Sequence, residues 1–152
     1  MTRQDPAVPR IVLDTNVCLD LFVFHDVQCQ PLLDALQGGA VRAVTRTDCR
    51  EEWQRVLHYP QLPVDDRTRP AIAAAFDALI WRIFDEGCVA EVDPRLPRCA
   101  DPDDQKFLEL ALACDARWLL SKDKELLRLG ERTRRAGWFS ILLPQQWRPP
   151  LR

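Results

Sequence analysis

The sequence is poor in the residues that usually bind transition metals. It has only two histidines, His25 and His58, and its six cysteines are scattered singly without a C-x-x-C pair. Structural zinc sites need clustered cysteine and histidine ligands, so a zinc site has little support. The cysteines stand in apolar stretches, which favours buried, reduced thiols that pack as small hydrophobic residues.

Long apolar runs are also absent. No stretch approaches the ~18–20 apolar residues that a helix needs to cross a bilayer. The first residues, MTRQDPAVPR, lack the apolar segment of a signal peptide. We therefore expect a cytoplasmic protein that does not contact a membrane.

Charge of one sign does not dominate the chain, whose formal net charge is -2, but the charges are unevenly spread. Eight basic residues and three acidic ones lie between Lys122 and the C-terminus. This asymmetry is typical of a surface that faces a polyanion, and equally of solvated helix faces. Alone it does not distinguish the two.

Strand-like and helix-like segments alternate along the 152 residues, which is the length of one domain. The predicted strands are 10–14, 40–45, 88–92, 116–121 and 138–143. The predicted helices are 17–24, 30–37, 47–58, 66–84, 101–114 and 123–129. Such alternation predicts right-handed crossovers and an α/β fold with a mainly parallel sheet covered by helices on both faces.

Two of the predicted strands end in an aspartate. Asp14 ends the apolar run Ile11-Val12-Leu13, and Asp123 follows the strand RWLLSK. In an open parallel sheet, ligands bind at the carboxyl ends of the strands, near the point where strand order reverses. Each aspartate could instead be only a helix cap.

The helix over 47–58 carries two adjacent glutamates, and its geometry separates them. Cys49, Trp53 and Leu57 share one apolar face, Glu52 lies at the edge of that face, and Glu51 points to water. If one of the two works in a site against the sheet, we expect Glu52. The alternative is that both are solvated residues near a helix N-terminus.

The stretch CADPDDQKFLELA holds three more aspartates. Asp101 before Pro102 is a good N-cap, and Asp103 lies off the apolar stripe. Asp104 lies on the stripe with Leu108, so its carboxylate would need partners. A divalent cation would supply them.

Asp14, Glu52, Asp104 and Asp123 come from four separate segments that can reach one edge of the sheet. Carboxylates that repel each other need a cation, and oxygen ligands without His or Cys favour Mg²⁺ or Mn²⁺. Such ions activate water and bind phosphate oxygens. The residues thus indicate an acidic metal site for phosphoryl chemistry.

Three motifs, VLDTNV, EEWQRVLHYPQL and CADPDDQKFLELALACDARWLLSKDKELL, resemble the PIN-domain family. The similarity is strongest to the branch described as toxin components of bacterial toxin–antitoxin systems. It implies a three-layer α/β/α sandwich and a Mg²⁺- or Mn²⁺-dependent nuclease acting on single-stranded RNA. It also implies an antitoxin as a possible partner and a possible homodimer.

The resemblance also implies roles for single residues. It matches Asp14, Glu52, Asp104 and Asp123 to the family's acids, and Asn16 and Ser121 to polar residues that support them. Asp101 is a further supporting residue. Lys122, Lys124 and Arg128 border the site in sequence, so they could hold the RNA backbone, and the alternative is that they form a solvated helix face. Trp53 and Tyr59 depart from the usual pattern, and REEW leaves Glu51 as an alternative to Glu52.

We expect an N-terminal extension over 1–9, the PIN-like nuclease domain over 10–143 and a C-terminal tail over 144–152. Two other functions remain open. One is a non-catalytic PIN-like module that binds RNA or protein and keeps the acids without using them. The other is a haloacid-dehalogenase-like phosphatase, which would need an acid where this chain has Asn16.

Overall fold

Five parallel strands form the centre of the molecule in a computed structural model that describes residues 8–83 and 93–150. The strands are β1 Arg10–Leu13, β2 Arg42–Thr45, β3 Ile80–Arg82, β4 Trp118–Leu120 and β5 Ser140–Leu142. Their order in the sheet is β3-β2-β1-β4-β5. Every neighbouring pair is parallel. The expected parallel sheet is therefore confirmed.

Helices connect these strands. They are α1 Thr15–Phe22, α2 Gln30–Gln37, α3 Thr47–Val56, α4 Arg69–Leu79, α5 Gln105–Ala113, α6 Lys124–Leu127 and α7 Gly130–Arg135. Short 3₁₀ turns lie at Val27–Cys29, Pro102–Asp104 and Pro144–Gln146. In the described part of the chain, no helix is long and apolar enough to span a bilayer.

Two apolar clusters cover the two faces of the sheet. Ile11 and Leu13 of β1 face a cluster with residues of α1, α2 and α4, including Phe76. Val12, between them, faces the opposite cluster with residues of α5 and α6, including Leu108. Successive strand residues point to opposite faces, so this alternation follows from the strand geometry. The chain therefore has the expected three-layer α/β/α arrangement.

The core includes Trp147, which lies in the stretch that we expected to be a tail. Trp147 is 1% exposed and meets Trp118 edge to face, with ring centroids 5.4 Å apart. The five cysteines in the described residues behave as expected: Cys18, Cys29, Cys49, Cys99 and Cys114 are buried free thiols. Cys88 lies outside the described residues.

One predicted helix is wrong at its C-terminal end. The helix expected over 66–84 ends at Leu79, and Ile80–Arg82 form the edge strand β3 beside β2. Its start also moves, because Asp65 accepts hydrogen bonds from the Arg67 and Thr68 backbone N–H groups in a turn before the helix. The strand predicted over 88–92 lies outside the described residues.

Candidate metal centre

The carboxyl ends of β1 and β4 lie side by side where the strand order reverses. Leu13 is paired with Leu120, and the Asp14 N–H donates to the Leu120 carbonyl at 2.9 Å. The chain leaves β1 towards β2 on one side, and β4 lies on the other side. Such a reversal opens a crevice at the carboxyl edge of the sheet. We use the term acidic crevice for this edge of the sheet, where Asp14 and the segment that begins at Ser121 lie.

Asp14 is buried, with 4% exposure, and its side chain is held from two sides. The Ser121 hydroxyl donates to its Oδ2 at 2.6 Å, and the Asn16 Nδ2 donates to the same oxygen at 3.2 Å. Asp14 stands at the N-cap position of α1, but its side chain makes no capping hydrogen bond there. The capping interpretation of Asp14 is therefore wrong.

Burial and nearby negative charge act on Asp14 together. Burial raises the pKa of this carboxyl from 3.8 to about 6, against the lowering effect of the Ser121 hydrogen bond, and the charges of Glu52 and Asp123 add to the rise. A group with such a perturbed pKa in a crevice is typical of a functional site.

Ser121 and Asn16 join the two strand ends. Ser121 is fully buried, and its hydroxyl oxygen accepts from the Asp123 backbone N–H at 2.9 Å. The Asn16 Oδ1 accepts from the Lys122 N–H at 3.2 Å. Both side chains predicted to support the acids thus link Asp14 to the start of α6.

Asp101, Asp104 and Asp123 form a compact acidic group in the described part of the chain. One carboxylate oxygen of each lies within 4.8 Å of those of the other two. Asp104 is 9% exposed, whereas Asp101 is exposed and Asp123 half-buried. Asp101 and Asp123 also accept from the backbone N–H groups of Asp103 and Glu125, at 3.0 and 2.8 Å. Both are therefore helix caps as well as members of the group.

The Asp104 and Asp123 carboxyls shift each other's pKa in opposite directions. Burial and a hydrogen bond to Asp123 hold the pKa of Asp104 well above its usual range, and the same hydrogen bond lowers the pKa of Asp123. Carboxyls this close cannot both ionise cheaply unless a cation lies between them. All the metal-ligand atoms that this group offers are carboxylate oxygens, which Mg²⁺ and Mn²⁺ prefer. The residues present therefore fit such an ion.

Glu52 and Glu51 point in different directions from α3. Glu51 is exposed, whereas the Glu52 side chain is only 16% exposed. The Thr15 hydroxyl donates to one Glu52 oxygen, and the Lys106 Nζ donates to the other at 2.8 Å. Glu51 is thus the glutamate that points to water, as the helix geometry predicts, and Glu52 lies between α1 and α5.

Lys106, Thr15 and Asp20 are residues of this region that the sequence analysis missed. Asp20 is 6% exposed and pairs with the Lys122 ammonium at 2.8 Å. A signal for Asp20 was present, because it follows Asn16 by one helical turn on α1. Local patterns carried no such signal for Lys106, whose partner Glu52 lies on another helix.

The predicted substrate-binding cations differ in their surroundings. Lys122 pairs with Asp20, and Arg128 pairs with Glu125 at 3.2 Å on an exposed helix face. Lys124 is exposed at the first position of α6, directly after Asp123. Farther along, Arg134 and Arg135 both pair with Glu131. Much of the C-terminal basic excess therefore lies in ion pairs along helix faces.

A three-layer sandwich with an acidic crevice at its switch point belongs to the class of α/β proteins that bind ligands at the carboxyl ends of their strands. The sequence model described as the PIN domain matches residues 10–125. The chain therefore belongs to the PIN-domain family, whose members are generally nucleases. No curated protein matches the chain.

Proposed function

We propose that the chain is a metal-dependent endoribonuclease that hydrolyses phosphodiester bonds of single-stranded RNA with Mg²⁺ or Mn²⁺. The observation that carries the proposal is the convergence of Asp14, Asp104 and Asp123 at the switch point of a PIN-domain sheet. Asp14 and Asp104 both have raised pKa values, as expected for carboxyls whose natural partner is a cation.

Asp104 and Asp123 would hold the metal, with Asp101 beside them and Asp14 near enough for its charge to act on theirs. When bound, the ion supplies an activated water and stabilises the charge that develops on the phosphate. The protein fixes the acids in advance. Ser121 and Asn16 hold the Asp14 carboxylate in one orientation. Because the pKa of Asp104 is raised, its carboxyl would lose a proton when an ion binds.

Lys124 would contact the RNA backbone next to the acids, because it is exposed and follows Asp123 directly. Lys122 and Arg128 would contribute at the same edge, each held by an acidic partner. Contacts between lysine or arginine and phosphate add affinity without reading sequence.

We also propose that the protein acts in the cytoplasm as the toxin of a toxin–antitoxin pair, with an antitoxin protein and a second copy of itself as partners. Support comes from the sequence motifs that resemble that branch of the family. Expression should then arrest growth, and Asp14→Asn should relieve the arrest.

A cleavage assay on a mixed RNA pool, run with Mg²⁺, Mn²⁺ or EDTA, tests the nuclease proposal. We expect cleavage with either metal, none in EDTA and a loss of at least ~100-fold in Asp14→Asn, because catalytic groups contribute on this scale. Asp34→Asn is the matched control, since Asp34 is an exposed acid on α2.

Full activity in Asp14→Asn would contradict the proposal. RNA binding without cleavage under every metal condition would favour the non-catalytic binding module instead. Cleavage of DNA but not RNA would keep the chemistry and change the substrate.

A further inference from the structure

Glu52 is neutralised by the protein itself. Its carboxylate and the Lys106 ammonium lie 2.8 Å apart, and both side chains are largely buried, with 16% and 15% exposure. Lys106 also donates to the Asp103 carbonyl, which fixes its ammonium between α3 and the turn that carries Asp104. The second Glu52 oxygen accepts from the Thr15 hydroxyl. Both oxygens of Glu52 are therefore occupied by donors.

Asp14, Asp104 and Asp123 differ from Glu52 in this respect. In residues 8–83 and 93–150, no ion pair joins Asp14, Asp104 or Asp123 to a lysine or arginine. The three carboxylates that can share one ion, Asp101, Asp104 and Asp123, are also distinct from Glu52. The crevice thus has an unneutralised part and a part that already contains a cation.

We infer that Lys106 takes the place of a second metal ion, so that the crevice holds one divalent cation, on the Asp101–Asp104–Asp123 side. This inference rests on the proposed metal-dependent function. A second ion on Glu52 would have to displace the ammonium from two acceptors and lie close to its positive charge, which like-charge repulsion opposes. Lys106 is accordingly a positioning residue that sets the number of metals and orients Glu52.

Counting bound Mn²⁺ per chain tests this directly. The unbound ion has a strong electron paramagnetic resonance signal, so titration of the metal-free protein gives the number of bound ions without any activity measurement. We expect one Mn²⁺ on the wild-type chain. Lys106→Met should bind two, with the second ion bound at least tenfold more tightly than any second ion on the wild type.

Matched variants separate the charge of Lys106 from its packing. Lys106→Arg should still bind one ion, and Lys106→Met combined with Glu52→Gln should return to one. Arg46→Met is the control for loss of an ion pair between the same two parts of the fold, because Arg46 precedes α3 and pairs with Glu109 of α5 at 3.1 Å. It should also bind one.

The outcomes distinguish this inference from the function on which it rests. No Mn²⁺ on the wild type would overturn the metal-dependent function. Two ions on the wild type, or one on Lys106→Met, would overturn the role of Lys106 while leaving that function intact. If Lys106→Met does not fold, the numbers of Mn²⁺ ions bound by Lys106→Gln and by the wild type test the role of Lys106 instead.

Discussion

Asp14 shows how much of this site depends on the environment of a single carboxyl. A carboxylate with 4% exposure loses most of its hydration, yet the Ser121 and Asn16 hydrogen bonds hold it where other acids converge. Without a cation, the ionised form is disfavoured both by burial and by its acidic neighbours. The arrangement favours metal binding, and it lowers the stability of the folded protein when no metal is bound.

Asp14→Asn should therefore stabilise the protein in EDTA. The folded-state pKa of Asp14, about 6, lies above the ordinary 3.8. The contribution of Asp14 to the free energy of unfolding is therefore fully present below pH 3.8 and is lost as the pH rises through 6. The difference corresponds to at most about 3 kcal/mol. Asparagine stays neutral, so the variant should gain up to roughly 6–12 °C in melting temperature at pH 7 and little at pH 4.

Thermal melts of both proteins from pH 4 to pH 8 would measure this gain. Asp34→Asn should change the melting temperature little at any pH, because surface substitutions cost within about 0.5 kcal/mol. A lower melting temperature of Asp14→Asn than of wild type at pH 7 in EDTA would show that the negative charge of Asp14 does not destabilise the fold.

Single residues were predictable where a local rule placed them. Strand ends pointed to Asp14 and Asp123, and helix periodicity separated Glu52 from Glu51. The Lys106–Glu52 pair obeys no such rule. Its two residues are on different helices, and a long lysine side chain can reach in many directions, so only the packed structure specifies the partner.

At the scale of elements, α3 is the helix that carries Glu52 to the crevice. Trp53, the next residue, is 2% exposed and stacks on Phe76 of α4 with ring centroids 4.9 Å apart. Phe22 of α1 meets both rings edge to face. This aromatic cluster joins three helices on one face of the sheet, so the direction of Glu52 depends on it.

Phe76→Ala should destabilise the fold by about 3–5 kcal/mol, because it leaves a cavity against Trp53 and Phe22. Urea denaturation followed by tryptophan fluorescence would measure the loss. Tyr59→Ala is the control, since Tyr59 is 42% exposed and should cost far less. Equal losses in the two variants would mean that the cluster does not fix α3.

The error in the predicted C-terminal end of α4 has a physical explanation. Phe76, Leu79, Ile80 and Ile83 have helical spacing, and that spacing predicted a helix through 84. Ile80 and Trp81 also favour strands, and in the fold they pair with Ala43 and Val44 of β2. The pairing with β2 decides between the helical and the strand preference of this segment. Because β2 is distant in sequence, local patterns do not show this pairing.

At the scale of the whole molecule, the acids meet because of topology. Asp14 follows β1, Glu52 lies on the helix after β2, and Asp123 follows β4, yet β1 and β4 are neighbours. Right-handed parallel crossovers make such convergence at the carboxyl edge predictable. The strand order itself was not predictable from local patterns, nor was the burial of Trp147 in the core.

Mn²⁺ should consequently stabilise the whole fold, because it relieves repulsion among segments from all parts of the chain. At 100 times the dissociation constant, binding adds about 2.7 kcal/mol, or roughly 5–11 °C in melting temperature for a chain of this size. Binding must expel protons from Asp14 and from the Asp104–Asp123 pair, so the shift should be larger at pH 8 than at pH 6. The melting temperature of Asp14→Asn should rise less with Mn²⁺, and that of Asp34→Asn should rise as much as that of the wild type.

No change in melting temperature over a Mn²⁺ series would instead favour a non-catalytic module whose acids bind no ion. A change of the same size at both pH values would mean that the ion does not bind at the protonated carboxyls.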